Sequence, residues 1–169
     1  ELVEKGVNRL LWAYNHMPVM KEIEKRFKKD RPFEGVKIGM ALHCEAKTGI
    51  LAHALMEGGA QLRFASCNPL STDDSVVAAL RQEYGMDVHA KKGETSEEYY
   101  ANLNAVLDLR PDLVIDDGCD LITMSHTTRR DVLKGIKAGN EETTTGVIRL
   151  RAMAAEKALE FPVLSVNDA

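Results

Sequence analysis

Hydrophobic positions in the first part of the chain recur at helical spacing. Between Leu2 and Lys28 seven apolar residues follow roughly helical spacing, and the motif at 15–18 interrupts the pattern once: Leu2, Val7, Leu10, Leu11, Val19, Ile23 and Phe27. Pro18 is a residue type favoured in the first turn of a helix, so it marks the start of a second helix. The pattern therefore predicts a helical segment over residues 1–30, followed by a polar loop.

From residue 31 onward, short apolar runs alternate with amphipathic stretches of helical length. Strands are predicted at 36–42, 60–66, 86–90, 111–118 and 161–167, and helices at 47–59, 71–85, 95–110, 126–139 and 143–160. Such alternation indicates right-handed βαβ crossovers. We therefore predict an α/β domain over residues 31–169, with a mostly parallel sheet between helices in three layers, of Rossmann-like or flavodoxin-like type.

Composition and charge exclude several classes of function. The 169 residues are 44% hydrophobic, which suits one domain with its own core. A net charge of -4 gives no electrostatic reason to expect nucleic acid. No apolar run reaches the length of a membrane span, and the charged N-terminus is unlike a signal peptide. Three cysteines without CxxC spacing favour a reducing, cytoplasmic setting, with neither disulfides nor a metal site.

Polar side chains follow three of the predicted strands. His43 and Lys47 follow the first strand, Asp73 follows the second, and Asp116 and Asp117 lie at the end of the fourth. Ligands of open parallel sheets bind outside the carboxyl ends of the strands. The sequence therefore predicts an acidic, hydroxyl-rich cleft at this edge of the sheet.

These residues also have structural interpretations. Ser71 and Asp73 are favoured helix-capping residues, His43 can be a hydrogen-bonded core histidine, and the acidic segment at 116–120 can be a solvated turn. Adjacent carboxylates at the end of a buried strand repel each other, so something should compensate Asp116 and Asp117. No Gly-rich nucleotide fingerprint is present, and the residues alone define no reaction.

Read together, eight segments resemble the S-adenosyl-L-homocysteine hydrolase family. They occur in the family's order and span nearly the whole chain. The segments are NHMPVM, LHCEAKTGIL, NPLST, KKGETSEEYY, IDDGCDL, SHTTRRDVL, EETTTGV and FPVLSVND. The HCEAKT and DLITMSHT segments are most similar to the short bacterial and archaeal branch.

The resemblance implies reversible hydrolysis of S-adenosyl-L-homocysteine to adenosine and L-homocysteine, a step of one-carbon metabolism. In this family a tightly held NAD oxidises the ribose 3′-hydroxyl, which makes the 4′-proton acidic. The homocysteine thiol then leaves C5′, water adds, and the ketone is reduced again. The family is typically oligomeric, so the whole enzyme is expected to be a homo-oligomer.

Matching positions imply roles for individual residues. His43 is expected to handle the leaving thiol or the attacking water, while Asp117 and Glu142 hold the ribose. Glu142 is expected to point into a cleft with Asp117 and His43. The implied substrate-binding residues are Glu45, Lys47, Thr48, Asp73, Asn167 and Asp168. The residues expected near the nicotinamide of NAD, on an open side of the cleft, are Thr143, Thr144 and Thr145.

Departures from the family pattern open alternatives. The chain stops at Ala169, before the family's catalytic lysine and NAD-binding domain, so alone it is expected to be inactive and not to retain NAD. Asp73 replaces a usual glutamine, which leaves a stand-alone nucleoside-thioether binding module as an alternative. Lys47 replaces a carboxylate near the adenine. A lysine cannot accept a hydrogen bond from an exocyclic amine, so S-inosylhomocysteine is an alternative substrate.

Overall fold

A computed structural model describes residues 1–167, which form eight helices and six strands. In chain order the elements are α1 (Leu2–Asn15), α2 (Pro18–Asp30), β1 (Lys37–Leu42), α3 (Ala46–Glu57), β2 (Gln61–Ser66), α4 (Asp74–Gln82), β3 (Asp87–His89), α5 (Ser96–Asp108), β4 (Leu113–Asp116), α6 (Asp120–His126), α7 (Arg130–Leu133), β5 (Ala138–Glu141), α8 (Thr144–Ala155) and β6 (Val163–Ser165). Within residues 1–167, no helix combines the length and apolar character needed to cross a membrane.

The six strands form one parallel sheet in the order β3-β2-β1-β4-β5-β6. This is the doubly wound order of the Rossmann fold, and its switch point lies between β1 and β4. The predicted α/β class is therefore confirmed. The register pairs Leu42 with Ser66 and Asp116 with Glu141, so β1, β2, β4 and β5 end together at one edge.

The core lies in two layers, one on each face of the sheet. Because successive residues of a strand face opposite sides, Met40 of β1 packs in one layer and Ala41 in the other. The first layer includes Leu10 of α1, and the second includes Leu103 of α5 and Ile122 of α6. The helical segment that precedes the sheet therefore shares a core with it.

One predicted helix is wrong. Residues 126–139 do not form a continuous helix; they contain the short α7 and the beginning of β5. The strand Ala138–Glu141 has no β-branched residue, so its sequence carries no strand signal. Pairing with β4 and β6 stabilises it, and Gly139 lets Val114 and Phe161 pack closely against its backbone. The sequence pattern also did not predict helix α6.

Candidate functional site

Three side chains from three different loops meet at the carboxyl edge of the sheet. His43 follows β1, Cys67 follows β2 and Asp117 follows β4. His43 Nε2 lies 3.4 Å from Asp117 Oδ2. One donor atom of each residue lies within 4.8 Å of the other two, and we call this group the His43 cluster. The sequence predicted the meeting of His43 and Asp117 but gave Cys67 no role.

Hydrogen bonds fix the orientation of the His43 ring. Its Nδ1 lies 2.6 Å from Ser71 Oγ, and the Ser71 hydroxyl donates to the carbonyl of Asn68 at 3.1 Å. The Ser71 hydroxyl has one proton, so both contacts are satisfied together only when Nδ1–H donates to Ser71. We assign this tautomer, in which the neutral ring has its lone pair on Nε2. The Thr48 hydroxyl holds the backbone by donating to the His43 carbonyl. Nε2 is therefore free to exchange a proton or bind a ligand.

This network corrects the interpretation of Ser71 as a helix cap. Asp73 is the N-cap of α4, and its carboxylate accepts from the Ser75 N–H at 3.0 Å. Ser71 instead orients His43, which is itself half-buried rather than a core residue. The capping interpretation of Asp73 is confirmed.

The adjacent acids Asp116 and Asp117 have different environments. Asp116 is 1% exposed, and its carboxyl accepts from the backbone N–H groups of Asp117 at 3.0 Å and Ile122 at 2.8 Å. Burial, together with the nearby Glu141 charge, raises the pKa of Asp116 to about 8. Asp116 is therefore largely protonated at neutral pH, which removes the repulsion with Asp117. The segment is a partly buried structural turn rather than a solvated one.

Glu141 is a structural residue that the sequence reasoning missed. It is fully buried, and its Oε1 accepts from the N–H of Gly118 at 2.7 Å and of Thr143 at 3.2 Å. These bonds tie the loop after β4 to the start of α8. Burial raises the pKa of Glu141, and Oε2 has no hydrogen-bond partner among residues 1–167. Because the sequence did not predict β5, it gave no signal that Glu141 would be buried while its neighbour Glu142 is exposed.

A groove with a volume of about 980 Å³ lies between α1 and the N-terminus of α3. Glu45, Lys47 and Asp73 line it, so three predicted substrate-binding residues converge here. Arg9 and Trp12 of α1 line its other side, and Arg9 forms an ion pair with Asp73. The sequence reasoning placed no ligand contact on α1, although its single tryptophan was a usable signal.

Comparison with known proteins identifies relatives of this chain. The family model described as S-adenosyl-L-homocysteine hydrolase matches residues 1–137 and 125–169. The chain belongs to the S-adenosyl-L-homocysteine hydrolase family. It is 61% identical over 165 residues to an adenosylhomocysteinase of Thermoplasma acidophilum, covering 98% of this chain and 40% of that protein. It is 58% identical over 168 residues to an S-inosyl-L-homocysteine hydrolase of Methanocaldococcus jannaschii, covering 99% of this chain and 40% of that protein.

The family resemblance inferred from the motifs is thus confirmed, and the chain spans 40% of the length of these two relatives. Among solved structures, a quinone oxidoreductase from Thermus thermophilus gives a TM-score of 0.43 at 16% identity. That match covers 95% of this chain and 44% of the other. This structural similarity is too weak to support any statement about the function of this chain.

The other positions implied by the S-adenosyl-L-homocysteine hydrolase motifs lie at or near the same edge. The exposed Glu142 donates its backbone N–H to the Asp116 carbonyl at 2.9 Å. No hydrogen bond or ion pair within residues 1–167 joins its carboxylate to Asp117 or His43, so its ligand role stays a prediction. Asn167 is exposed after the edge strand β6. Asp168 lies outside the described residues.

The threonines form the N-terminus of α8. Thr143 is the N-cap residue, and its side chain makes no capping hydrogen bond. Thr144 and Thr145 are exposed in the first turn. Hydroxyl groups and the free N–H groups of a helix N-terminus are thus available to a ligand on this side.

Proposed function

We propose that this chain is the substrate-binding portion of an NAD-dependent enzyme that hydrolyses S-adenosyl-L-homocysteine to adenosine and L-homocysteine. The observation that supports the proposal best is the pairing of His43 with Asp117 at the switch point of the sheet, in a chain of this family. We further propose a cytoplasmic homo-oligomer as the whole enzyme, acting on small molecules in one-carbon metabolism.

His43 is suited to proton transfer at C5′ of the nucleoside. When the C5′–S bond breaks, a protonated Nε2 gives its proton to the departing homocysteine sulfur. In the next step the neutral Nε2 takes a proton from the water whose oxygen adds to C5′. Asp117, 3.4 Å away, stabilises the protonated ring before the first step and after the second. The bond between Nδ1 and Ser71 keeps the ring aimed throughout.

Asp117 and Glu142 would bind the ribose. A ribose presents hydroxyl donors, and ionised carboxylates are acceptors that bind them strongly. Asp117 is mostly buried, and Glu142 is exposed beside the end of β4. Two carboxylates on adjacent strand ends can therefore each take one hydroxyl.

The start of α8 fits one side of an NAD site. NAD bound here would supply a hydride acceptor for the ribose 3′-carbon. Thr143 has no capping bond, and Thr144 and Thr145 are exposed, so their hydroxyls can meet the nicotinamide amide. The sequence contains no Gly-rich fingerprint for the rest of the dinucleotide. We therefore propose that the chain alone does not retain NAD and does not turn over.

Calorimetry with adenosine and S-adenosyl-L-homocysteine tests the proposal. Both ligands should bind without NAD, and Asp117→Asn should weaken adenosine binding about 10- to 100-fold, as expected for a lost hydrogen bond to a charged group. Asp30→Asn, at the exposed end of α2, is the matched control and should bind normally. Absence of binding by the folded chain, or an unchanged affinity in Asp117→Asn, would refute the proposed role. Turnover with added NAD would refute inactivity.

Lys47 favours S-inosyl-L-homocysteine as a second candidate substrate. Its exposed ammonium lines the groove and can donate to the 6-carbonyl of hypoxanthine, whereas the 6-amino group of adenine offers no matching acceptor. If hypoxanthine is preferred, inosine binds more tightly than adenosine, and Lys47→Glu reverses the order. Tighter binding of adenosine by the unmodified chain would exclude this candidate.

A further inference from the structure

The His43 cluster combines an imidazole, a thiol and a carboxylate, the three side-chain types that bind zinc. Within residues 1–167 it is the one group of three potential metal ligands with this proximity. Zinc bonds of about 2.0–2.2 Å to nitrogen and oxygen, at tetrahedral angles, place the two ligand atoms about 3.3–3.6 Å apart. The observed separation of His43 Nε2 and Asp117 Oδ2 is 3.4 Å. The protein therefore already holds two ligands at the spacing of a zinc site.

The orientation of His43 also matches that of a metal ligand. Metal-binding histidines usually donate their second ring N–H to a nearby acceptor, which fixes the tautomer and aims the lone pair at the metal. Ser71 is that acceptor for Nδ1, because its own proton goes to the Asn68 carbonyl. The lone pair of the neutral ring thus faces a carboxylate and a thiol, an arrangement that a cation would stabilise.

Cys67 supplies the third donor. Burial raises the pKa of its thiol well above the usual range, and the charges of Asp117 and Asp116 raise it further. Its sulfur lies within 4.8 Å of the ligand atoms of His43 and Asp117. A thiol that coordinates a divalent ion loses its proton. One thiolate and one carboxylate then balance the two positive charges at a half-buried site.

We propose that the His43 cluster binds one Zn²⁺ through His43 Nε2, Cys67 Sγ and a carboxylate oxygen of Asp117, leaving a fourth position open. On binding, the Zn–S bond replaces the S–H bond, and the proton passes to the solvent. The ligands follow three different strands, so no CxxC-like spacing exists in the sequence. This is why the sequence pattern favoured no metal site.

A bound ion would occupy the nitrogen that exchanges protons. Zn²⁺ on Nε2 removes the lone pair of His43 and engages the carboxylate of Asp117. The ion would therefore be a reversible inhibitor of nucleoside-thioether binding and hydrolysis. This consequence rests on the proposed function, whereas binding of the metal does not.

Titration with Co²⁺ under reducing conditions tests the site directly. Tetrahedral Co²⁺ bound to a thiolate gives intense visible bands and a sulfur-to-metal charge-transfer band, and Zn²⁺ should displace it at a ratio of one ion per chain. Cys67→Ser should abolish the charge-transfer band. Ser71→Ala should weaken Zn²⁺ binding about 10- to 100-fold, as for other groups that orient a ligand.

A second histidine with acidic neighbours provides the control. His53 lies 3.4 Å from Glu57 and 3.7 Å from Glu24, but among residues 1–167 it belongs to no group of three potential metal ligands as close as the His43 cluster. His53→Gln should leave the cobalt spectrum and the Zn²⁺ affinity unchanged, while His43→Gln should abolish both. The proposal is overturned if wild-type protein gives no charge-transfer band, if the band survives in Cys67→Ser, or if His53→Gln removes it.

Protection of the thiol gives a readout that does not depend on these variants. Zn²⁺ should slow alkylation of Cys67 in the wild-type chain, measured by mass spectrometry of the peptide, without changing alkylation of Cys44. Equal rates at Cys67 with and without Zn²⁺ would overturn the site. Calorimetry then separates the two proposals: if Zn²⁺ binds but adenosine does not, the proposed function fails and the metal site stands.

Discussion

Replacing Gly146 by alanine tests whether the buried Glu141 carboxylate holds the site together. Gly146 lies inside α8, where alanine normally stabilises a helix by about 1 kcal/mol. A Cβ at this position would overlap Cδ and Oε1 of Glu141 and lie 2.7 Å from Oε2, closer than the 3.0 Å limit of real Cβ contacts. Glu141 has no solvent to move into, because it is fully buried.

The carboxylate must therefore leave its hydrogen bonds. Oε1 accepts from the N–H groups of Gly118 at 2.7 Å and Thr143 at 3.2 Å. Hydrogen bonds to a carboxylate contribute about 1.5–3 kcal/mol each. After the gain in helix propensity is subtracted, we expect Gly146→Ala to lower the free energy of unfolding by about 2–5 kcal/mol.

Urea unfolding followed by circular dichroism measures this loss. Gly135→Ala is the control, since its Cβ would meet no atom closer than 3.4 Å, and the expected change is below about 1 kcal/mol. In a Glu141→Ala background the overlap is gone, so Gly146→Ala should there stabilise the protein by about 1 kcal/mol. A Gly146→Ala protein as stable as wild type, or the same loss in both backgrounds, would refute the reasoning.

Three further predictions concern the rest of the scaffold. Gly6→Ala should lower the free energy of unfolding by about 1–3 kcal/mol, because a Cβ there would overlap the Ser75 carbonyl between α1 and α4; an unchanged urea midpoint would contradict this. Because the pKa of Asp116 is raised, the folded protein keeps a proton on this carboxyl between about pH 4 and 8, where the unfolded chain has lost it. The stability that this proton contributes is therefore complete below about pH 4 and is lost as the pH rises through about 8. Thermal unfolding from pH 5 to 8 should therefore show a downward slope that is smaller in Asp116→Asn. Arg9→Ala should cost at most about 1 kcal/mol, because the ion pair with Asp73 is partly exposed; a larger loss by urea unfolding would show a greater structural role.

Most of the fold was predictable because its signals are local. The first four strands are continuous apolar runs or alternate in character, and the helices between them begin at capping residues such as Asp73 and Thr95. The strand at 138–141 failed because its stability comes from neighbouring strands rather than from its own residues. Residues 126–139 were therefore assigned to a helix.

The candidate site was predictable only in part, because some of its contacts depend on parts of the fold that the local sequence does not encode. The meeting of His43 and Asp117 follows from two strand ends at one edge of a parallel sheet. The roles of Cys67 and Ser71 depend on the conformation of the loop after β2, which no periodicity encodes. Arg9 reaches the groove through the packing of α1, a contact between elements far apart in the sequence.

The two acidic pairs at this edge of the sheet have the same arrangement of one buried and one accessible carboxyl group. Asp116 ends β4 and Asp117 follows it; Glu141 ends β5 and Glu142 follows it; and the register pairs Asp116 with Glu141. Successive residues of a strand face opposite sides, so the first acid of each pair points inward and binds backbone N–H groups. The second acid is left at the edge, where a ligand can reach it. A ribose held by Asp117 and Glu142 would therefore depend on two buried carboxyl groups that never touch it.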